Sequence, residues 1–262
     1  MHFLMAIEHK DHIIYPTTFL QNAVVTMKYT PRQYTPDEEK EVIAETNSFF
    51  LENFGLDFKV DSLGRTFHLS SDVEDISYVF MPDSAFVRVG RKNYTSFDAS
   101  VMPNIYRLRN FIYKVLRLEK IELLQVRKVN MFPVQTNDPV DEHLFKSMAE
   151  FLLSGDMLLL KKVKDEKVII KDSVSDIYYR ELDDVDRSFR IITGVTRDSG
   201  QNVYNQVLDI SCTSKPVPEG IKEDKIEEKL TMQNQRLFDL YHWAVSSEVI
   251  DVMEMPKKRD VV

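Results

Sequence analysis

Apolar positions along this chain follow two periods, and each switch between them marks the edge of an element. From Gln21 to Thr30 (QNAVVTMKYT), β-branched residues precede Pro31, which predicts a strand. The period then lengthens. In TPDEEKEVIAETNSFFLENFG, Thr35 falls at the N-cap, Pro36 at the first helical position and Glu38 at the reciprocal position of a capping box. Acidic residues fill the first turn, where the helix dipole favours them. Val42, Phe49, Phe50 and Leu51 supply an apolar face, and Gly55 is the expected stop. Two hairpins follow. LDFKVDS and RTFHLSS flank Leu63-Gly64, and ISYVFMP meets AFVRVGRKNY across Pro82-Asp83-Ser84. Pro103 opens a basic helix in which Ile105, Leu108, Ile112, Val115 and Leu116 share one face.

The second half repeats this order. IELLQVRKVNMFPV reads as a strand ended by Pro133, and Asp141 to Leu153 as a helix capped near Asn137–Asp138. MLLLKKVK and KVIIKDS predict a hairpin around Asp165-Glu166, with DIYYREL beside it. RSFRIITGVTRDS and NVYNQVLDISCTS predict another around Gly200. A Pro-rich connector (KPVPEGIKEDK) leads to one long closing helix from about Ile226 to Met253. The fold expected is α+β: two tandem β-α-β4-α halves, with mostly antiparallel sheets covered by helices on one face. An arm spans 1–19, the halves span 20–119 and 120–255, and a basic tail spans 256–262. This order resembles the tandem halves of the TATA-binding-protein fold, a likeness of topology that implies nothing about activity.

Composition narrows the chemistry. The chain is 43% hydrophobic with only 7 Gly in 262 residues, enough apolar material for a sizeable core and no low-complexity tract. Its single cysteine, Cys212, excludes a disulfide framework and a cysteine-based zinc site. The opening MHFLMAIEHKDH is too short in apolar run and too poor in basic residues for a signal peptide. No run of about 18 apolar residues predicts a membrane helix. A cytoplasmic protein without a cofactor is the expectation, and the Asn93-Tyr94-Thr95 sequon has no significance there. The basic run Pro256-Lys257-Lys258-Arg259 reads as a solvated end.

Motif searches give little. Pro36-Asp37 with Asp57-Phe58-Lys59 has the spacing of a metal-dependent nuclease site, but Asp37 sits in the helix-capping signature, which accounts for it. Asp183, Asp184 and Asp186 form an acidic cluster able to hold a divalent cation, without the Gly and distal Glu of a calcium loop. His9 and His12 lack a third ligand nearby, and His68, His143 and His242 lie on separate elements. No GxGxxG, P-loop or GxSxG element occurs. No catalytic or metal residues are therefore assigned.

Charge is more informative. Between Arg88 and Lys128 stand ten Lys and Arg against Asp98, Glu119 and Glu122, in a chain of net charge −8. Tyr94, Phe97, Tyr106 and Tyr113 are interleaved with them. Arg88, Arg91, Lys92, Arg107, Lys114, Arg117, Arg127 and Lys128 are the candidate contacts for nucleic acid or a partner. The competing account is a helix face answered by acidic neighbours. A pI near 5.4 favours that account over a dedicated nucleic-acid domain.

The stretch FVRVGRKNYTSFDASVMPNIYRLRNFIYKVLRLEKIELLQVRKVNMFPV resembles the centre of a sporadically distributed prokaryotic family with no assigned activity. Arg127 and Asn130 occupy its Arg-x-x-Asn positions, and FDLYHWAVSSEVIDVMEM resembles its last helix. The first strand departs from the pattern, since Val24 and Val25 follow Ala23 where a Pro and a Glu are usual. The resemblance implies a bacterial or phage protein and supplies no catalytic residues. The reading at this stage is a non-catalytic interaction protein, an accessory component of a larger, defence-type assembly that binds another protein or itself. Nucleic-acid binding through residues 88–128 and a metal-dependent phosphodiesterase on the Asp183 cluster are the alternatives.

Overall fold

The computed structural model describes residues 7, 9–16, 18–54, 58–63, 65–135, 152–153, 168–171, 174–180, 187–197 and 203–255. The fold is α+β. The chain divides into two compact units, one of residues 22–127 and 213–233, the other of residues 1–21, 128–212 and 234–262. Sequence order alone suggests a division at 119/120; the contacts divide the chain at Arg127/Lys128 and return residues 213–233 to the first unit.

In the first unit, β1 (Leu20–Lys28), β2 (Lys59–Leu63), β3 (Thr66–Ser71), β4 (Ile76–Phe80) and β5 (Ser84–Gly90) stand in the order β2-β3-β4-β5-β1. Every pair in that row is antiparallel, in registers such as Leu69↔Tyr78, Tyr78↔Val87 and Val25↔Val87. Leu69, Tyr78, Val87 and Val25 are all fully buried, so period-two alternation lines up one apolar row across four strands. Gly90 lets the Asp75 carboxylate lie where a side chain would stand. From there the carboxylate accepts from Arg88 Nη1 (3.2 Å) and from the Lys92 backbone N–H (3.1 Å). The strand ends at Gly90 rather than running on to Tyr94, and Arg91–Asn93 form a short 3-10 turn.

Helix α1 (Pro36–Asn53) carries the expected capping box: Thr35 accepts from the Glu38 N–H, and Glu38 from the Thr35 N–H. Its buried positions are Val42, Thr46 and Phe50, whereas Leu51 is 82% exposed. Leu51 follows Phe50 by one residue, a rotation of about 100° that carries it off the packed stripe. The basic helix is not uniform. A π turn (Phe97–Val101) precedes α2 (Met102–Asn110), and a second π turn (Phe111–Val115) follows it. The surplus residue of the second turn brings both Phe111 and Ile112 to full burial. Phe111 stacks on Phe50 with centroids 5.5 Å apart and meets Phe80 at 4.0 Å.

β6 (Leu123–Gln135) continues through Pro133, two residues past the expected stop; residues up to Arg127 belong to the first unit. It is antiparallel to β1, and the Glu122 N–H donates to the Lys28 carbonyl at its start. In the second unit, β7 (Val168–Lys171), β8 (Val174–Arg180), β9 (Arg187–Arg197) and β10 (Val203–Ser214) follow β6 in the order β10-β9-β8-β7. The expected helix over 141–153 and the strand MLLLKKVK fall outside the described residues, apart from Leu152 and Leu153. The closing helix is two helices: α3 (Glu223–Ala244) and α4 (Ser247–Glu254). Ser246 caps α4 by accepting from the Val249 N–H, a hydroxyl competing with helix continuation in the way serine does. No described helix is long and apolar enough to cross a membrane.

Candidate functional site

Most of the basic segment is already answered within the first unit. Arg117 sits at φ 51°, a left-handed position that normally favours glycine and costs another residue roughly 1–2 kcal/mol. It is clamped there: its guanidinium reaches Glu45 at 2.6 Å and Glu41 at 3.3 Å, and its carbonyl accepts from Arg32 at 3.2 Å. Arg107 turns inward, donating to Asn104 Oδ1 at 3.3 Å and lying over the Phe54 ring. Arg88 is held by Asp75, Arg109 by Glu223 at 3.4 Å, and Lys120 by Glu122 at 3.6 Å. Arg91, Lys92 and Lys114 are exposed and make no ion pair among the described residues.

The aromatic residues between these cations are occupied as well. Phe97 is buried, and Tyr106 donates to Glu227 at 2.7 Å. Burial, reinforced by Asp98, raises the Tyr94 phenol far above its ordinary value; burial and Glu223 raise that of Tyr113. Rings held in this way are not free to stack on bases.

Arg127 and Lys128 belong to β6. Arg127 is exposed at the end of the first unit, and Lys128 begins the strand's run in the second. Lys128 alternates with buried Asn130 and Phe132 on the same strand face, where burial lowers its amine to about 8. The eight candidate contacts therefore do not form one cationic surface.

A cleft in the first unit, without any signature in the sequence, is better formed. Its floor is Val42, Phe67, Phe80, Met81, Leu116 and Leu118, and Ile43 stands at the opening, 47% exposed. Three elements meet here: the first half of α1, the ends of β3 and β4, and the chain leaving the second π turn. Tyr34 fixes the third by donating to the Leu116 carbonyl at 2.5 Å. Arg32 and Arg65 both lie over the Tyr34 ring, 5.5 and 5.9 Å from its centroid. Each is also tied to α1, Arg32 to Glu38 at 2.9 Å and Arg65 to Glu39 at 2.8 Å. Five separate stretches supply the lining, so no spacing rule finds it.

In the second unit the histidines of the arm come together with α3. His9 Nδ1 is 3.4 Å from buried Asp239, which also accepts from the Lys10 N–H at 3.1 Å. Tyr15 Oη lies 3.0 Å from His242 Nε2, and the His12 ring packs 4.5 Å from Phe238. Burial holds His242 below the usual histidine value, as do Lys10 and His12, against the opposing pull of Asp239. No group of three His, Cys, Asp or Glu side chains among the described residues forms a metal site. The Asp183–Asp186 cluster lies outside those residues.

No protein-family model and no curated protein matches the chain. Among solved structures it is similar to Methanococcus jannaschii TBP, at 11% identity over 84% of this chain and 97% of that one, with a TM-score of 0.26. That resemblance is weak, and function has to be argued from the residues.

Proposed function

We propose that this protein acts by contact, as a non-catalytic component of a multi-protein assembly, and that the first-unit cleft is where it holds its partner. The open apolar floor with half-exposed Ile43 at its mouth carries the reading. Concave apolar sites with a few oriented polar groups are the usual places of recognition. A single anchoring side chain in such a hollow supplies a large share of binding energy at protein interfaces. The rim fits that role, because Arg32, Arg65 and Tyr34 are braced against α1 and have little freedom to lose on binding.

Ile43→Arg places a charge at the mouth on an exposed helix position, where the fold tolerates it. Affinity capture from nuclease-treated extract of the source cell is expected to recover a defined protein with the native chain and at least tenfold less with Ile43→Arg. Equal recovery, or a turnover activity abolished by one substitution elsewhere, overturns the proposal. A second copy of the chain is the alternative partner. It predicts a concentration-dependent mass by light scattering that Ile43→Arg returns to 30.7 kDa.

Arg91, Lys92 and Lys114 favour a second reading, nucleic-acid binding of modest strength. Three phosphate contacts imply a weak, salt-sensitive interaction, its logarithmic slope near −3 on duplex DNA at about 0.9 per contact. Fluorescence anisotropy at low salt is expected to show that slope, and the triple alanine variant to lose it. No binding to DNA or RNA at low salt removes the reading.

A further inference from the structure

The cleft lining holds two guanidinium groups and one carboxylate, Glu39, so it carries one net positive charge around an apolar floor. The two arginines are not equivalent. Both terminal nitrogens of Arg32 are used, Nη1 on the Arg117 carbonyl and Nη2 on Glu38. Arg65 is bound to Glu39 through Nε alone, and its terminal nitrogens make no hydrogen bond among the described residues. The Nε bond and the Tyr34 ring fix the guanidinium plane. Two N–H groups held in a plane beside an apolar hollow form a fork suited to a carboxylate.

We propose that the cleft takes the carboxyl-terminal residue of a partner chain, an apolar side chain on the floor with its own α-carboxylate on the free edge of Arg65. This rests on the contact reading above and names its ligand. An internal acidic residue fits less well. Neighbouring side chains of an extended segment point to opposite sides, so an apolar anchor and an adjacent Asp or Glu do not enter one hollow together. A terminal residue carries both groups on a single Cα. The fork is oriented before the ligand arrives, and Glu39 keeps Arg65 in place without using the atoms the ligand needs.

The test uses the full chain and small probes. N-acetyl-leucine and N-acetyl-phenylalanine, each beside its neutral amide, are titrated while backbone amide resonances are followed. The acids are expected to shift the amides of Val42, Ile43, Phe67 and Leu116 and to bind at least tenfold more tightly than the amides. Arg65→Gln removes that preference and, checked by thermal melting, leaves the fold intact. Arg65→Lys keeps the charge but loses the fork, and restores only part of the preference.

Equal affinity for acid and amide, or shifts elsewhere in the chain, overturns the assignment. Tighter binding of 4-methylpentanoate than of N-acetyl-leucine also overturns it, and assigns the cleft to a free small acid. Partner capture lost in Ile43→Arg without any acid preference removes this proposal alone. An acid preference without a captured protein removes the contact reading, and this one with it.

Discussion

Replacing Phe111 with alanine is expected to lower the stability of the first unit by about 3–5 kcal/mol, the usual range for deleting a fully buried aromatic ring. Phe111 is 0% exposed and touches the rings of Phe49, Phe50 and Phe80, which come from two other elements. The void left behind has few ways to close. α1 is fixed by its capping box, and β4 is paired on both sides. Urea denaturation followed by tyrosine fluorescence measures the change; a shift of the midpoint at constant slope is the expected form. Phe111→Leu keeps much of the volume and is expected to lose less than half as much. A loss below 1 kcal/mol in the alanine variant would mean that this ring cluster is not the centre of the unit.

Asp239→Ala is expected to free the N-terminal arm of the second unit from α3, at a cost of about 1–3 kcal/mol for the buried donors it leaves unanswered. The carboxylate, 3% exposed, accepts from the Lys10 N–H and from Gln235 Nε2, with His9 at 3.4 Å. Faster amide exchange at Lys10, with the β9 amides unchanged, is the signature; protection equal to the native chain contradicts it. Acid acts at the same place by another route. His242 is held below its ordinary value by burial and by Lys10 and His12. On acidification, the unfolded chain therefore takes up a proton before the folded one does. The attachment is at full strength above pH ~6.5 and weakens as the pH falls through the window beneath it. His242→Gln flattens that dependence without abolishing the arm contact.

What the sequence made legible follows the range of each signal. The α1 capping box needs only four consecutive residues, and it appears as expected. Strand alternation likewise anticipates the hairpins of β2 through β5. The break at Ser246 was missed because Val245 and Val249 keep the apolar spacing across it, while the interruption depends on one serine hydroxyl. Arg117 was read as a free cation because nothing local marks Glu41 and Glu45, more than 70 residues earlier, as its counter-ions. Arg107 faces inward toward Asn104 and Phe54 because neighbours across the fold receive it. The same limit applied to the histidines, since His9 and His242 meet only when the arm lies on α3. The cleft is the extreme case, being made of residues scattered between Arg32 and Leu118 and visible only after folding.

The second π turn has a genetic consequence. A π turn is an α-helix carrying one surplus residue. Loss of any single codon within Phe111–Val115 would regularise the helix and rotate all that follows by about 100°. Leu116 and Leu118, which leave that turn to floor the cleft, would be carried off it, and Tyr34 would lose its carbonyl anchor. Related chains that differ by one insertion or deletion here would then present different hollows from nearly identical residues. Ligand choice in such a lineage can change through helix length before any substitution in the cleft itself.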